Sequence, residues 1–188
     1  MKITHGKLGP CPSHRKVIGV KWIYKAEFHF DDCSLDKYKA RLVAKGYAQK
    51  EGVDYDDTFA PTARYSSIRI VLALSSHYAW SIYQLDVKSA FLNGDLEEEV
   101  YVEQPQGFYV KGHEADVYLL KKALYGLKQA PQAWYQNIDA FLLSLKFSHT
   151  HANNNLYVLM VDQDICILVL YVDDLILTSS SMELIGWV

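Results

Sequence analysis

Three aspartates stand in apolar surroundings, where an uncompensated carboxylate is costly. Asp173 and Asp174 separate the apolar runs ILVLYV and LILT, and Asp86 follows the alternating run SIYQL. Such acids indicate a turn, a paired charge or a bound cation. If the three carboxylates meet, they form a hard-cation site suited to Mg²⁺, which takes carboxylates together with water and substrate phosphates. Two such ions about 3.5–4 Å apart support phosphoryl transfer.

Other interpretations of these residues stay open. Asp173 and Asp174 are also compatible with a solvated hairpin turn, although two-residue hairpin loops usually contain Gly or Asn. Asp86 is also a favoured helix N-cap. A phosphatase or another two-carboxylate metalloenzyme rests on the acids alone. His149 and His151 lack a third ligand at zinc-type spacing, which favours a solvated loop.

Short strands surround the three acids. Leu156–Val161, Ile165–Val172 and residues 175–178 predict a meander, and Ser81–Val87 predicts a strand that ends near Asp86. Further short strands are expected at 100–103 and 117–120.

Two helices are expected between the strands. Apolar residues recur with a helical period over 66–80. Pro131 suits the first turn of a second helix. One apolar face follows it: Trp134, Ile138, Phe141, Leu142 and Leu145. Because helices and strands mix without a regular βαβ rhythm, the pattern predicts the α+β class.

The charge is distributed unevenly along the chain. Residues 1–50 hold 11 Lys and Arg against 4 Asp and Glu, whereas residues 51–188 hold 8 against 18. A basic segment attracts phosphates, but a Lys-rich surface can also serve solubility alone.

The basic segment has the pattern of a hairpin. Val17–Phe30 and Tyr38–Ala48 are β-branched and aromatic runs on either side of the turn sequence DDCSLD. Even spacing places Lys39, Arg41 and Lys45 on one face of the second strand.

Composition narrows the class of protein. The 188 residues are 50% hydrophobic and 22% charged with a net charge of −3, which is typical of a globular chain and excludes a disordered one. Three widely spaced cysteines form no disulfide framework and favour a reducing, intracellular location. The longest apolar run, Ile165–Val172, is far short of the roughly 20 residues that cross a bilayer. Since the N-terminus has no apolar signal region, we expect a cytoplasmic or nuclear protein that is neither secreted nor membrane-bound.

Four long stretches of the chain carry further motifs: KARLVAKGYAQKEGVDYDDTFAP (39–61), QLDVKSAFLNGDLEEEVYVEQPQGF (84–108), LKKALYGLKQAPQAWY (120–135) and LYVDDLILTSS (170–180). In their order and at about their spacing, these stretches together resemble the reverse transcriptase of Ty1/copia-type long-terminal-repeat retrotransposons. A four-residue YxDD box alone is a weak signal, whereas four long blocks in register are specific.

The resemblance implies a right-hand polymerase palm, an antiparallel sheet with packed helices, together with basic fingers. On this basis residues 1–16 are an irregular lead-in, 17–180 are the fingers and palm, and 181–188 are a truncated tail. The family's thumb and RNase H parts are expected to be absent. The implied partners are an RNA or DNA template-primer, deoxynucleoside triphosphates (dNTPs) and the remainder of a Pol polyprotein.

The resemblance also assigns roles to residues of the second and fourth blocks. Asp86 and Asp173 would bind two Mg²⁺ ions, or Mn²⁺, with Asp174 beside them and the Val87 carbonyl as a further ligand. Tyr171 would lie near the primer end.

The remaining assignments concern the incoming nucleotide. Lys39 and Arg41 match basic residues that contact the triphosphate, and Phe91 matches the bulky residue that excludes a ribose 2′-OH. Ser89 and Ala90 would face the triphosphate with their backbone N–H groups. Tyr125, Gly126 and Lys128 belong to the block that would pack on the nucleotide and template.

Two features favour a second hypothesis, that of a truncated and inactive retroelement remnant with residual nucleic-acid binding. They are the expected absence of the family's thumb, and Gln132, which stands where the family usually has Arg and so removes a cation. A further departure is that His149–Asn155 lacks the usual acidic residue.

Overall fold

The computed structural model describes residues 6–187, which form eleven strands and three α-helices. Their bounds are β1 (Gly6–Gly9), β2 (Val17–Ile18), β3 (Val20–Phe28), β4 (Leu35–Ala44), α1 (Tyr65–His77), β5 (Ile82–Asp86), β6 (Tyr101–Val102), β7 (Val117–Leu120), α2 (Ala130–Ser144), β8 (Ser148–Thr150), β9 (Asn153–Val161), β10 (Asp164–Tyr171), β11 (Asp174–Ser179) and α3 (Met182–Trp187). This mixture of sheets and helices confirms the α+β class.

The chain divides into two compact units, and each is built from two separate segments. The first unit contains residues up to Thr58 and Phe91–Trp134, and the second contains Phe59–Ala90 and the residues from Tyr135 onward. The chain passes from one unit to the other after residues 58, 90 and 134.

A four-stranded sheet in the order β1-β7-β6-β2 forms the core of the first unit. Strand β1 pairs antiparallel with β7, and Leu8 packs against a buried cluster that includes Ile18, Val102 and Leu120. The prediction that residues 1–16 are irregular is therefore wrong for Gly6–Gly9, because Leu8 supplies the apolar contact and the strand backbone pairs along β7. Residues 1–5 lie outside the described residues.

The predicted basic hairpin is confirmed as the two-stranded sheet β3–β4. Its turn is closed by the Asp32 carboxylate, which accepts hydrogen bonds from the Ser34 backbone N–H at 2.9 Å and from its hydroxyl at 2.7 Å. The placement of Lys45 on the second strand is wrong, because β4 ends at Ala44 and a 3₁₀ turn follows at Gly46–Ala48.

A five-stranded antiparallel sheet in the order β5-β11-β10-β9-β8 dominates the second unit. The predicted meander is confirmed as β9, β10 and β11, and the predicted strand before Asp86 as β5. The short edge strand β8 was not predicted, since its residues Ser148–Thr150 carry no apolar alternation.

Helix α1 confirms the predicted helical period and lies against this sheet through a narrow stripe of small residues. Ser67, Val71 and Ser75 are its buried positions. The Ser75 hydroxyl donates to Thr178 Oγ1 at 3.0 Å, and Asn153 Nδ2 donates to Ser67 Oγ at 3.2 Å. Small side chains allow close approach, so buried hydroxyl and amide groups satisfy one another there.

The other two helices differ in how far the sequence predicted them. Helix α2 confirms the second predicted helix, with Pro131 in its first turn, although Leu145 lies just beyond its end. Helix α3 occupies Met182–Trp187, where the resemblance suggested only a truncated tail.

Candidate functional site

The sheet of the second unit brings the three aspartates to one end. Asp86 is the last residue of β5 and Asp174 the first residue of β11, and the two are register partners across the antiparallel ladder. Asp173 lies in the β10–β11 turn, and its carbonyl accepts a hydrogen bond from the Val87 backbone N–H at 2.8 Å. Residues directly opposite in such a ladder have Cβ atoms about 4.5–5.5 Å apart.

The turn between β10 and β11 lies one residue earlier than the Asp173–Asp174 turn that the sequence suggested. Tyr171 pairs with Asp174, so Val172 and Asp173 form the turn and Asp174 belongs to the strand. Val172 has a φ of +58°, which is unusual for a β-branched residue and stores backbone strain. The flanking ladder holds this conformation, so the position of Asp173 is determined by both neighbouring strands.

Two amide side chains that sequence reasoning missed support this turn. Gln84 Nε2 donates to Asp174 Oδ1 at 3.3 Å, and the fully buried Asn155 donates from Nδ2 to the Leu170 carbonyl at 2.9 Å and to the Pro61 carbonyl at 3.1 Å. Because Leu170 immediately precedes Tyr171, Asn155 fixes β10 beside the turn. The unusual run of three Asn before an apolar strand was the available signal.

The carboxylates offer a donor set without forming a closed cage. Asp86 and Asp173 are exposed and Asp174 is half-buried. Among residues 6–187, no three His, Cys, Asp or Glu side chains lie close enough together to hold a metal ion. Carboxylate oxygens at one sheet end still fit Mg²⁺, which binds through one or two carboxylates and completes its shell with water and phosphate oxygens.

The segment after Asp86 makes a tight turn. Ser89 has a φ of +57°, and Ala90, which is 3% exposed, begins a 3₁₀ turn that runs to Asn93. Tyr171 is exposed at the end of β10.

The first unit holds the candidate cations on one face of the hairpin. Register and alternation place Lys39 and Arg41 on the same face of β4, with Lys25 directly opposite Lys39. Glu27 lies among these cations and forms an ion pair with Lys39 Nζ at 2.8 Å. The hydrogen bond from Lys39 lowers the pKa of the Glu27 carboxyl.

Within the first unit, Tyr125 contacts two other residues predicted to contact the nucleotide. The Arg41 guanidinium lies 5.9 Å from the centre of the Tyr125 ring, and the Phe91 ring meets Tyr125 edge-on at 5.3 Å. These distances are typical of a cation–π contact and an aromatic pair.

The Tyr125–Lys128 segment is locked to the end of β4. The Ala44 backbone N–H donates to the Tyr125 carbonyl at 2.7 Å. Gly126 has a φ of +89°, and a side chain there would collide with the Ala44 carbonyl. Glycine is therefore required at 126 both by conformation and by close approach. The Lys128 side chain is exposed.

Two polar residues outside these groups have defined side-chain partners. His149 lies in β8 rather than in a solvated loop, and its Nε2 is 3.0 Å from Asp139 Oδ1. Gln132 Nε2 donates to Asp57 Oδ2 at 3.1 Å. The neutral amide therefore has a defined partner in the first unit.

Comparison with known proteins identifies relatives along nearly the whole chain. A family model described as reverse transcriptase (RNA-dependent DNA polymerase) matches residues 6–188. The chain is 45% identical over 176 residues to the retrovirus-related Pol polyprotein from transposon RE1 of Arabidopsis thaliana. It is 43% identical over 181 residues to the retrovirus-related Pol polyprotein from transposon TNT 1-94 of Nicotiana tabacum, and 33% identical over 134 residues to the transposon Ty1-H Gag-Pol polyprotein of Saccharomyces cerevisiae.

The relatives are much longer than this chain. The first two alignments cover 94% and 96% of the chain but 12% and 14% of the plant polyproteins, and the yeast alignment covers 69% of the chain and 7% of its relative. No solved structure matches the chain. Within residues 6–187, none of the helices combines the length and the apolar character needed to span a membrane.

Proposed function

The chain belongs to the reverse transcriptase family, as a domain of copia-type Pol polyproteins, and we propose that it adds deoxynucleotides from dNTPs to a primer 3′-OH on an RNA template. The observation that carries this proposal is the placement of Asp86, Asp173 and Asp174 at one end of the five-stranded sheet of the second unit. Such a group of acids, on residues remote in the chain, fits nucleotidyl transfer better than a solvated turn.

In this proposal Asp86, Asp173 and the Val87 carbonyl hold two Mg²⁺ or Mn²⁺ ions, with Asp174 adding negative charge beside them. When bound, the ions supply the positive charge that favours loss of the 3′-OH proton and stabilises the pyrophosphate leaving group. The protein orients the reacting groups and spaces the carboxylates, which is the main protein contribution to phosphoryl transfer.

The incoming nucleotide is contacted by cations and by backbone groups. Lys39 and Arg41 contact the triphosphate, where the guanidinium offers paired donors to phosphate oxygens. The backbone N–H groups of Ser89 and Ala90 add neutral donors. Phe91 occupies the space of a ribose 2′-OH and so selects deoxynucleotides.

Template and primer are held without sequence-specific contacts, since base pairing selects each nucleotide. Tyr125, Gly126 and Lys128 pack on the nucleotide and template, and Tyr171 lies by the primer end. On this view residues 17–180 contain the fingers and the palm, and a longer Pol polyprotein is the natural context of the domain.

Primer extension on an RNA template with Mg²⁺ and all four dNTPs tests this function. We expect extension by the wild-type chain and a loss of about 10²–10³-fold in Asp86→Asn and Asp173→Asn, as for other groups that stabilise transition-state charge. Asp162→Asn is the matched control, because Asp162 is an exposed turn residue of the same sheet with a φ of +53°, which Asn tolerates.

Extension that survives Asp86→Asn, or that proceeds with the divalent ions chelated, contradicts the proposal. An equal loss in Asp162→Asn would mean that the acids act on folding rather than on the reaction. A wild-type chain that binds RNA in a salt-dependent manner but extends no primer would support the remnant hypothesis instead.

A further inference from the structure

A chain of buried amides lies directly behind the Tyr125–Lys128 segment. The Lys128 backbone N–H donates to Gln49 Oε1 at 2.8 Å, Gln49 Nε2 donates to Gln129 Oε1 at 3.0 Å, and Gln129 Nε2 donates to the Asp54 carbonyl at 3.0 Å. Gln49 is 8% and Gln129 2% exposed. All of these residues belong to the first unit.

We call this series of hydrogen bonds, from Lys128 through Gln49 and Gln129 to Asp54, the amide relay. The direction of the relay is fixed at both ends. It begins at a backbone donor, Lys128 N–H, and ends at a backbone acceptor, the Asp54 carbonyl, so neither amide can flip without losing two hydrogen bonds. Buried amides that lose their partners carry the full cost of desolvation. The relay therefore ties two chain segments, 49–54 and 128–129, into one arrangement.

The relay holds residues that the proposed function places at the nucleotide. Tyr125 and Lys128 lie in the tied segment, and the Tyr125 ring contacts both Arg41 and Phe91. A shift of this segment would move the Tyr125 ring and the surface on which the Arg41 guanidinium rests. Misplacement of a positioned group by about 1 Å can cost on the order of a hundredfold in rate or affinity.

We propose that Gln49 and Gln129 are positioning residues for the incoming dNTP, acting through Tyr125 and Arg41 without touching the nucleotide. This inference rests on the proposed function. It assigns a role to two residues that are not among the proposed nucleotide contacts. An isosteric Met at either position keeps the volume and removes the relay.

Gln104 provides a matched control within the same unit. It is also a buried amide, 4% exposed, and it donates to the carbonyls of His113 and Asp116 while accepting from the Val110 backbone N–H at 2.8 Å. It closes a loop that carries none of the nucleotide-contacting residues. Gln104→Met therefore removes the same kind of interaction at a similar cost in stability.

The experiment measures dNTP dependence of primer extension, dNTP affinity by calorimetry and exchange of the Lys128 amide hydrogen in the full chain. We expect Gln49→Met and Gln129→Met to raise KM and Kd for dNTP about tenfold with kcat within about threefold, the pattern of lost binding. The double variant should be no worse than either single variant, because each breaks the same relay. Lys128 exchange should accelerate in Gln49→Met and stay unchanged in Gln104→Met.

Suppose that the wild-type chain extends primers and that Gln49→Met and Gln129→Met leave KM and Kd for dNTP unchanged. This result would overturn the inference and leave the proposed function intact. Equal rises in Gln104→Met would overturn it as well, since the effect would then follow stability alone. A wild-type chain that neither extends primers nor binds dNTP would overturn both.

Discussion

The five-stranded sheet of the second unit and the β3–β4 hairpin of the first are both antiparallel, yet they differ sharply in burial. The central strand β10 has each residue from Cys166 to Leu170 at most 6% exposed, whereas Tyr24 and Tyr38 of the hairpin are 73% and 79% exposed. Close-packed strands resist displacement, whereas a two-stranded ribbon with few buried contacts opens at low free-energy cost.

This difference suits the chemistry that we propose for each region. The carboxylates that we propose as cation ligands need fixed spacing. Asp173 and Asp174 adjoin the buried strand β10, whereas Asp86 ends the more exposed strand β5. Cations that meet a flexible triphosphate tolerate a compliant support, and Lys39 and Arg41 lie on the exposed ribbon. The difference indicates that the β10–β11 turn, which carries Asp173 and Asp174, has a more deeply buried support than the ribbon that carries the cations.

The largest expected effect tests the difference in burial directly. Leu168 of β10 is 2% exposed, so Leu168→Ala should lower the free energy of unfolding by about 3 kcal/mol. Ile23 of β3 is 45% exposed, and Ile23→Ala should cost less than about 1 kcal/mol. Urea denaturation of both variants measures the contrast, and equal losses would show that the hairpin is packed as tightly as the sheet.

Thiol chemistry gives a second comparison of the same regions. Burial raises the pKa of the Cys166 thiol to about 11, so little thiolate forms at pH 8. Cys33, in the hairpin turn, is exposed. We expect Cys166 in the native chain to react on the order of a hundredfold more slowly than Cys33 with a disulfide reagent. The two rates should converge in urea.

Removing the Asn155 side chain, which supports the β10–β11 turn, should give the next smaller loss of stability. Asn155→Ala removes the donors to the Leu170 and Pro61 carbonyls and should cost about 2 kcal/mol, the range for unpaired buried groups. The exposed neighbour Asn154 is the control, and Asn154→Ala should stay within about 0.5 kcal/mol. Similar losses in both thermal melts would contradict a specific role for Asn155.

The smallest expected effect concerns charge in the first unit. In Gln132→Arg, the new guanidinium can pair with Asp57, which now accepts from the Gln132 amide. Because a partly exposed ion pair contributes little, the gain in stability should be about 0.5 kcal/mol or less. The added cation should steepen the salt dependence of RNA binding by less than about one unit of slope. An unchanged slope would place Gln132 away from the bound strand.

The local pattern predicted most of the elements but missed those whose cause is remote. The meander, the basic hairpin, α1 and α2 follow from alternation and helical period within the segments themselves. Strand β1 exists because Gly6–Gly9 pairs with β7, far along the chain. The β10–β11 turn lies one residue earlier than the sequence predicted, because the ladder pairs Asp174 with both Tyr171 and Asp86.

The sequence by itself determined the residue types, their order and the family, since four blocks in register and three aspartates are readable without a fold. Only the tertiary structure decided which remote groups meet. Gln84 and Asp174 are 90 residues apart and Gln49 and Gln129 are 80 apart, yet each pair is hydrogen-bonded. Such pairing depends on how apolar faces pack and set strand register, and these non-local interactions leave no periodic trace in the chain.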